Sequence, residues 1–417
     1  MAVPSTETEN NSSSAAPQTP LLETSLQQRE EEEEEELNDD TQLSKSLQRL
    51  ETFLRLFGFC QYSSIFSFTL SWFSFLLLGV ALPVFIIKFP YCSNDTEKYD
   101  IKVFELEILV SQSLVAAISL ICISHNLRKY GVRKFLFVDR HHGHMAHFHE
   151  EYIQKIDGFF QLLALWILPC FVLKAAREVV HIVYVHNSWW QSVGTLVALL
   201  VSWTYSTIIY LSGSALFHLV CNLQVVHFEN YGKLLERDLD VSVYIEEHTR
   251  LKYHLSKISH RFRIFLLLEF LVVTASQFVA LLETTGNHGI INFVNGGDFA
   301  VSSIVELVGI VICLNAAAKI SHRAQGLGSV AGRWHANYSE SDVESVDYEP
   351  IPTNTQLASY MSMYHKRQAF VTYLQSNPGG ATVFGWTIDR ALINTIFFVE
   401  LSLVLFVLGK TITFTTK

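Results

Sequence analysis

Cysteine is scarce and scattered, at Cys60, Cys92, Cys122, Cys170, Cys221 and Cys313. Only Cys92 falls in a loop that the charge pattern assigns to the outside, so an intrachain disulfide framework is not expected. No glycine-rich nucleotide loop, nucleophile elbow or zinc-protease histidine pair occurs, which removes the common soluble enzyme classes. The first twenty residues have neither a basic n-region nor an apolar h-region. A cleavable signal peptide is therefore not expected, and the first apolar segment must direct insertion. Charged residues make up only 17% of the chain, and the net charge of −10 is local, because residues 1–44 hold twelve acids against Arg29 alone. The remainder is close to neutral, so no cationic partner is called for. The basic clusters lie beside apolar segments, where membrane topology accounts for them, and nucleic acid is not an expected partner.

Apolar residues are abundant, at 49% of 417 with 30 Phe, which makes the bilayer the expected solvent. Seven segments are long and apolar enough to cross a hydrocarbon core as helices, at about 20 residues each. They cover roughly 67–89, 104–125, 159–185, 192–219, 262–282, 299–318 and 390–409. Each is a continuous apolar run rather than an alternation, and a helix satisfies its own backbone in lipid, so the expected fold is an all-α polytopic membrane protein, not a barrel.

Lysine and arginine set the expected orientation. The N-terminal region with loops two, four and six carries 23 of the 30, and the opposite side five: Lys88, Lys98, Lys102, Lys410 and Lys417. The positive-inside rule then puts the N-terminus in the cytoplasm and the C-terminus outside. That is the reverse of a G-protein-coupled receptor. The acceptor triplet at Asn94 lies in the first outside loop, but similar triplets at Asn10, Asn11 and Asn337 fall on the cytosolic side, so the charge count decides.

Cytosolic helices are expected as well. Leu43, Leu47, Leu50, Leu54 and Phe57 recur at helical spacing, as in a short amphipathic helix lying on the membrane surface. Leu251, Leu255, Ile258 and Phe262 give one face of a helix that runs straight into the fifth span. Leu357, Met361, Tyr364 and Tyr373 mark a third over 355–376, ended by the turn Asn377-Pro378-Gly379-Gly380. Two stretches are expected to be disordered: the acidic cytosolic tail 1–42, with Glu30 to Glu36 consecutive, and loop 337–353, where Ser339, Ser341 and Ser345 among acids resemble phosphorylation sites. The membrane domain then occupies 43–417.

Chemistry-bearing residues fall in two sets. His141, His142, His144, His147 and His149 form one dense imidazole cluster in the second loop. Neutral imidazoles ligate transition metals, yet a membrane di-iron centre needs several His boxes and no second box exists, so the expectation is a headgroup-facing loop and no metal or other cofactor. Ionisable residues inside spans point more strongly to function, since each costs about 2.5–3.5 kcal/mol at mid-helix unless it faces protein, water or a partner. They are Lys174, Arg177, Glu178, Glu269, Glu306 and Glu400. Lys174 and Glu178 are spaced for a local ion pair. Arg177 has no such neighbour, and Glu306 at comparable depth is its candidate partner, so Arg177, Glu178 and Glu306 are candidate ligand-pocket residues. On the last span Asn394, Thr395 and Ser402 share one broad helical face, and Glu400 lies nearly opposite, where it is expected to pack against its own subunit.

The layout of seven spans, long cytosolic extensions and a helix before the last span resembles a known family over residues 43–417. The local carrier is Ala381-Thr382-Val383-Phe384-Gly385-Trp386-Thr387-Ile388-Asp389-Arg390, leading to Asn394-Thr395-Ile396-Phe397-Phe398-Val399-Glu400-Leu401-Ser402-Leu403. It resembles the insect gustatory and odorant receptor superfamily, and specifically its plant gustatory-receptor-like members. In the insect receptors the last helix carries Thr-Tyr, five apolar residues, then Gln-Phe. Here Thr395 matches, whereas Ile396, Ser402 and Leu403 stand in place of the Tyr, Gln and Phe.

The resemblance implies a homo-tetramer in membrane lipid, a small-molecule ligand taken among the earlier spans, and a ligand-gated cation channel whose pore is lined by the last span, with Asn394, Thr395 and Ser402 as pore candidates. It implies no enzymatic activity. The alternatives are a non-conducting receptor or scaffold of the same fold and, further off, a metal-dependent membrane enzyme. The charge asymmetry makes a direct prediction: an N-terminal tag is cut by protease from the cytosol, and a tag after Lys417 only from outside. Both tags on one side would overturn the seven-span topology.

Overall fold

The computed structural model describes residues 41–60, 65–88, 96–137, 149–185, 189–235, 240–286, 293–346 and 354–415. Ten helices follow one another among them. Helix α1 covers 41–56, α2 Ile65–Phe75, α3 Leu82–Lys88, α4 Thr96–Phe135, α5 His149–Val185 and α6 Trp189–Leu234. Then come α7 Val241–Gly286, α8 Phe293–Val346, α9 Asn354–Ser376 and α10 Arg390–Thr415. Seven lengths are apolar and long enough to span a membrane, with α2 and α3 joined as the first by a π-helical turn, Leu76–Ala81. Such a turn displaces carbonyls from the regular ladder. Those of Leu78 and Gly79 accept the hydroxyls of Ser202 on α6 at 2.6 Å and Ser113 on α4 at 3.1 Å.

Helix α8 is the centre of the bundle. Buried residues make up 72% of its apolar window against 17–39% for the other six, and it packs on α4, α5, α6, α7, α9 and α10. At 54 residues it is about 80 Å long, far more than a bilayer core requires. The excess on α6, α7 and α8 forms, with α9, a second packed region beyond the spans. We call its side the extension end and the opposite side the far end. Here Tyr244, Trp334 and Phe370 meet at centroid distances of 5.6–6.0 Å, and the Tyr231 hydroxyl donates to the Tyr244 carbonyl. As the pattern through Leu251 and Phe262 predicts, α7 passes unbroken from this region into the membrane.

Three sequence expectations change. The leucines of α1 do not lie on a membrane surface: Leu43, Leu47, Leu50 and Leu54 are buried in the main core, and Phe53 packs edge-on against Phe159 and Phe160 of α5. An apolar stripe cannot itself tell lipid from protein. On α9 the buried stripe is Arg367, Phe370, Val371 and Leu374, whereas Met361 is exposed. Helix α8 also continues through 337–346, where a loop was expected. The remainder of that loop, the acidic tail 1–40 and the histidines of 141–148 lie outside the described residues, as does the side chain of His149.

Two glycines set how closely the inner helices approach. A Cβ on Gly213 of α6 would fall 2.1 Å from the Ser119 hydroxyl of α4, and one on Gly309 of α8 the same distance from the Tyr210 hydroxyl of α6. Gly309→Ala is therefore expected to destabilise the protein by about 1–3 kcal/mol through overpacking. Gly332→Ala, where the added methyl meets nothing, should be neutral or stabilising. Thermal unfolding of the two variants in the same detergent checks the contrast.

Candidate functional site

Five charged side chains from three helices converge at the far end of the bundle. On α5, Lys174 and Glu178 face the same neighbours because they are four residues apart, and their ion pair closes at 2.9 Å. Arg177 joins Glu178 at 2.8 Å, crosses to Glu105 of α4 at 3.0 Å, and lies 3.9 Å from Asp298 of α8. Lys174 also bonds Asp298. Lys174, Glu178 and Asp298 are buried, and Arg177 and Glu105 are nearly so. Within this cluster two cations meet three carboxylates, for a net charge of −1.

A second polar layer lies deeper along α8. Glu306 accepts the Ser111 hydroxyl of α4 at 2.6 Å and the Gln277 amide of α7 at 3.4 Å. Gln277 in turn bonds Ser303 at 3.1 Å, and Gln112 donates to Ser302 at 2.6 Å. The Tyr210 hydroxyl donates to the Glu306 carbonyl at 2.8 Å, in the space that Gly309 leaves. Further toward the extension end Glu269 accepts from Ser214 at 3.1 Å and from the Cys313 thiol at 3.5 Å. Asp298, Ser302, Glu306 and Cys313 recur at three- and four-residue multiples, so one polar stripe runs down the central helix.

Of the pocket candidates, Arg177 and Glu178 come together and Glu306 stands apart. Arg177 pairs with Glu105 and Asp298, not with Glu306, which lies eight residues, about 12 Å, further along α8 from Asp298. Sequence reasoning missed Glu105 and Asp298 because both sit at span ends, where an acid is read as a solvated flank. It also missed Ser111, Gln277 and Ser303, whose neutral side chains carry no charge to notice.

Helix α10 divides differently. Asn394, Thr395 and Ser402 lie on its exposed side with Phe398, Val399, Leu405 and Phe406, and the Thr395 hydroxyl returns to the Ala391 carbonyl at 3.0 Å. Glu400, Val404 and Val407 face inward. Glu400 accepts the Thr274 hydroxyl of α7, so it packs against its own chain as its position on the helix wheel predicts. The helix begins beyond a hairpin, Thr382–Val383 paired with Trp386–Thr387, whose turn needs φ +90° at Gly385. The Asp389 carboxylate caps α10 through the Leu392 amide at 2.9 Å.

The profile of a family described as a protein of unknown function, DUF3537, matches residues 45–339 and 336–399. Among solved structures the chain is similar to the insect olfactory receptor OR5 from Machilis hrabei, at 12% identity and a TM-score of 0.50, over 87% of this chain and 97% of that one. No curated protein matches. With seven apolar helices in that receptor's fold, the chain is an integral multi-pass membrane protein.

The charge count of the far-end cluster yields a signed prediction. Arg177→Met leaves Lys174 alone with three buried carboxylates and is expected to cost about 3–5 kcal/mol of stability. Asp298→Asn leaves two charges of each sign and should cost clearly less. Denaturation of both variants in one detergent decides it, and an Asp298→Asn loss equal to that of Arg177→Met would refute the balance.

Proposed function

The chain belongs to the DUF3537 family of proteins of unknown function, and from that premise we propose that it is a chemoreceptor-like, ligand-gated cation channel. In this reading four copies assemble with their α10 helices around a common axis. Asn394, Thr395 and Ser402 line the path for ions, and Phe398, one turn from both Thr395 and Ser402, narrows it. A small molecule is received at the far end, beside Arg177 and Glu178, with Glu306 in the layer beneath. The N-terminus is cytosolic and the C-terminus outside.

One observation carries the reading. The exposed side of α10 holds an amide and two hydroxyls. Polar groups turned to lipid are unfavourable, so a face of this composition calls for water or another copy of the chain. The fold shared with the olfactory receptor supports the same assignment, whereas of the receptor superfamily's last-helix motif only Thr395 is kept. A second reading, a non-conducting receptor or scaffold, draws on Val399, Leu405 and Phe406, which share that face and would serve an interface between copies equally well.

Cysteine substitution across residues 394–408, followed by a water-soluble thiol reagent on intact membranes, separates the readings. A water-filled path gives labelling at 395 and 402 and none at 397 or 401, and Ser402→Leu then lowers agonist-evoked current in a planar bilayer without dispersing the tetramer. Uniform protection would remove the pore and leave the scaffold.

A further inference from the structure

Among the described residues, the seam between α10 and its own subunit is apolar except at one level. Toward the far end Val407 packs with Ile108, Ala280 and Phe299, and toward the extension end Leu392, Ile393 and Ile396 join the main core. Between these layers sits Glu400, 2% exposed, the sole titratable side chain of α10 between Arg390 and Val407. One of its carboxyl oxygens accepts the Thr274 hydroxyl, and the other, Oε2, is buried with no hydrogen-bond partner among the described residues.

Its surroundings offer no compensating charge. Helices α7 and α8 are the two elements that pack along α10. From α7 the group facing Glu400 is Thr274, which is neutral; the nearest acid on that helix, Glu269, is taken up by Ser214 and Cys313. On α8 the buried acid Glu306 is taken up by Ser111 and Gln277. Among the described residues neither Glu400 nor Glu306 is paired with Lys, Arg or His. An ionised Glu400 would thus hold a bare oxygen in an apolar layer with nothing of opposite sign. A proton removes the charge, the costliest part of that conflict.

We propose that Glu400 is a proton-binding site, and that the neutral carboxyl latches α10 to the body of its subunit. Binding is simple association: a proton from water adds to the carboxylate and gives the acid. The sign follows. Below the pKa of the site the latch is closed; as pH rises through it, a negative charge appears in the apolar seam and α10 is driven from α7 and α8. Any effect on conduction rests on α10 being the pore helix, whereas the proton site itself does not.

Infrared spectroscopy of the full chain in lipid nanodiscs tests it without any current. The wild type is expected to show a protonated-carboxyl C=O stretch at neutral pH, one component of which is lost in Glu400→Gln, while Glu306→Gln removes a different component or none. Thr274→Val should keep the Glu400 component and move it to the higher frequency of a carbonyl without a donor. An unchanged band in Glu400→Gln means that the group is ionised and overturns the proposal. If Glu400→Gln fails to fold, Thr274→Val decides alone, and an unshifted spectrum overturns it. The latch is read from thiol labelling of Ser402→Cys, whose rate rises with pH in any case because the thiolate is the reactive form; with Glu400 present it should rise more steeply than when Glu400→Gln is added, and equal slopes remove the latch.

Discussion

A polar group on a helix inside a bilayer has no water to turn to, so it binds within the protein or is absent. That constraint organises this molecule around α8. Asp298, Ser302, Glu306 and Cys313 stand in one stripe, and together they draw partners from three neighbours: Lys174 of α5, Gln112 and Ser111 of α4, Gln277 and Glu269 of α7. Lipid provides little hydrophobic drive between helices, so these bonds, together with close packing, fix which helices adjoin the centre and in what rotation. The same requirement explains the glycines. Tyr210 reaches the Glu306 carbonyl only because residue 309 has no side chain, and Ser119 reaches the Ile209 carbonyl beside Gly213.

The two halves of the bundle obey different rules. In the extension region, beyond the spans, cohesion comes from aromatic packing of Tyr244, Trp334 and Phe370, the kind of core found in a soluble protein. In the membrane it comes from hydroxyls, amides and ion pairs. Helices α6, α7 and α8 run through both regions without a break. Of the five far-end charges, Asp298 stands on one of these rods, α8. Helix α10 is the exception, since a hairpin and an Asp389 cap separate it from α9.

The seven spans were legible because crossing a bilayer imposes a length and a composition that hardly depend on tertiary contacts. The run of α7 out of the membrane was legible for a similar reason: Leu251, Leu255, Ile258 and Phe262 keep one helical face apolar, and all four are buried. What that face packs against was not. Leu43, Leu47, Leu50 and Leu54 read equally well against lipid headgroups or against α5, and only the fold distinguishes them. The local pair Lys174 and Glu178 was visible from spacing, while Arg177 found Glu105 and Asp298 more than seventy residues away in either direction. No local pattern encodes such a choice among carboxylates. Wheel geometry, by contrast, was enough to turn Glu400 inward and Ser402 outward, because both lie on one regular helix.

The arrangement of the far-end cluster also bears on biosynthesis. Chain order means that α5 is made before α8, so Lys174 and Arg177 are first placed without Asp298. Glu178 bonds both of them from the same helix. During synthesis this local triad spares α5 two bare cations in lipid, and Glu105, already inserted on α4, is the next partner to become available. Asp298 arrives last, as a clasp that registers the central helix against a pair of helices already in place.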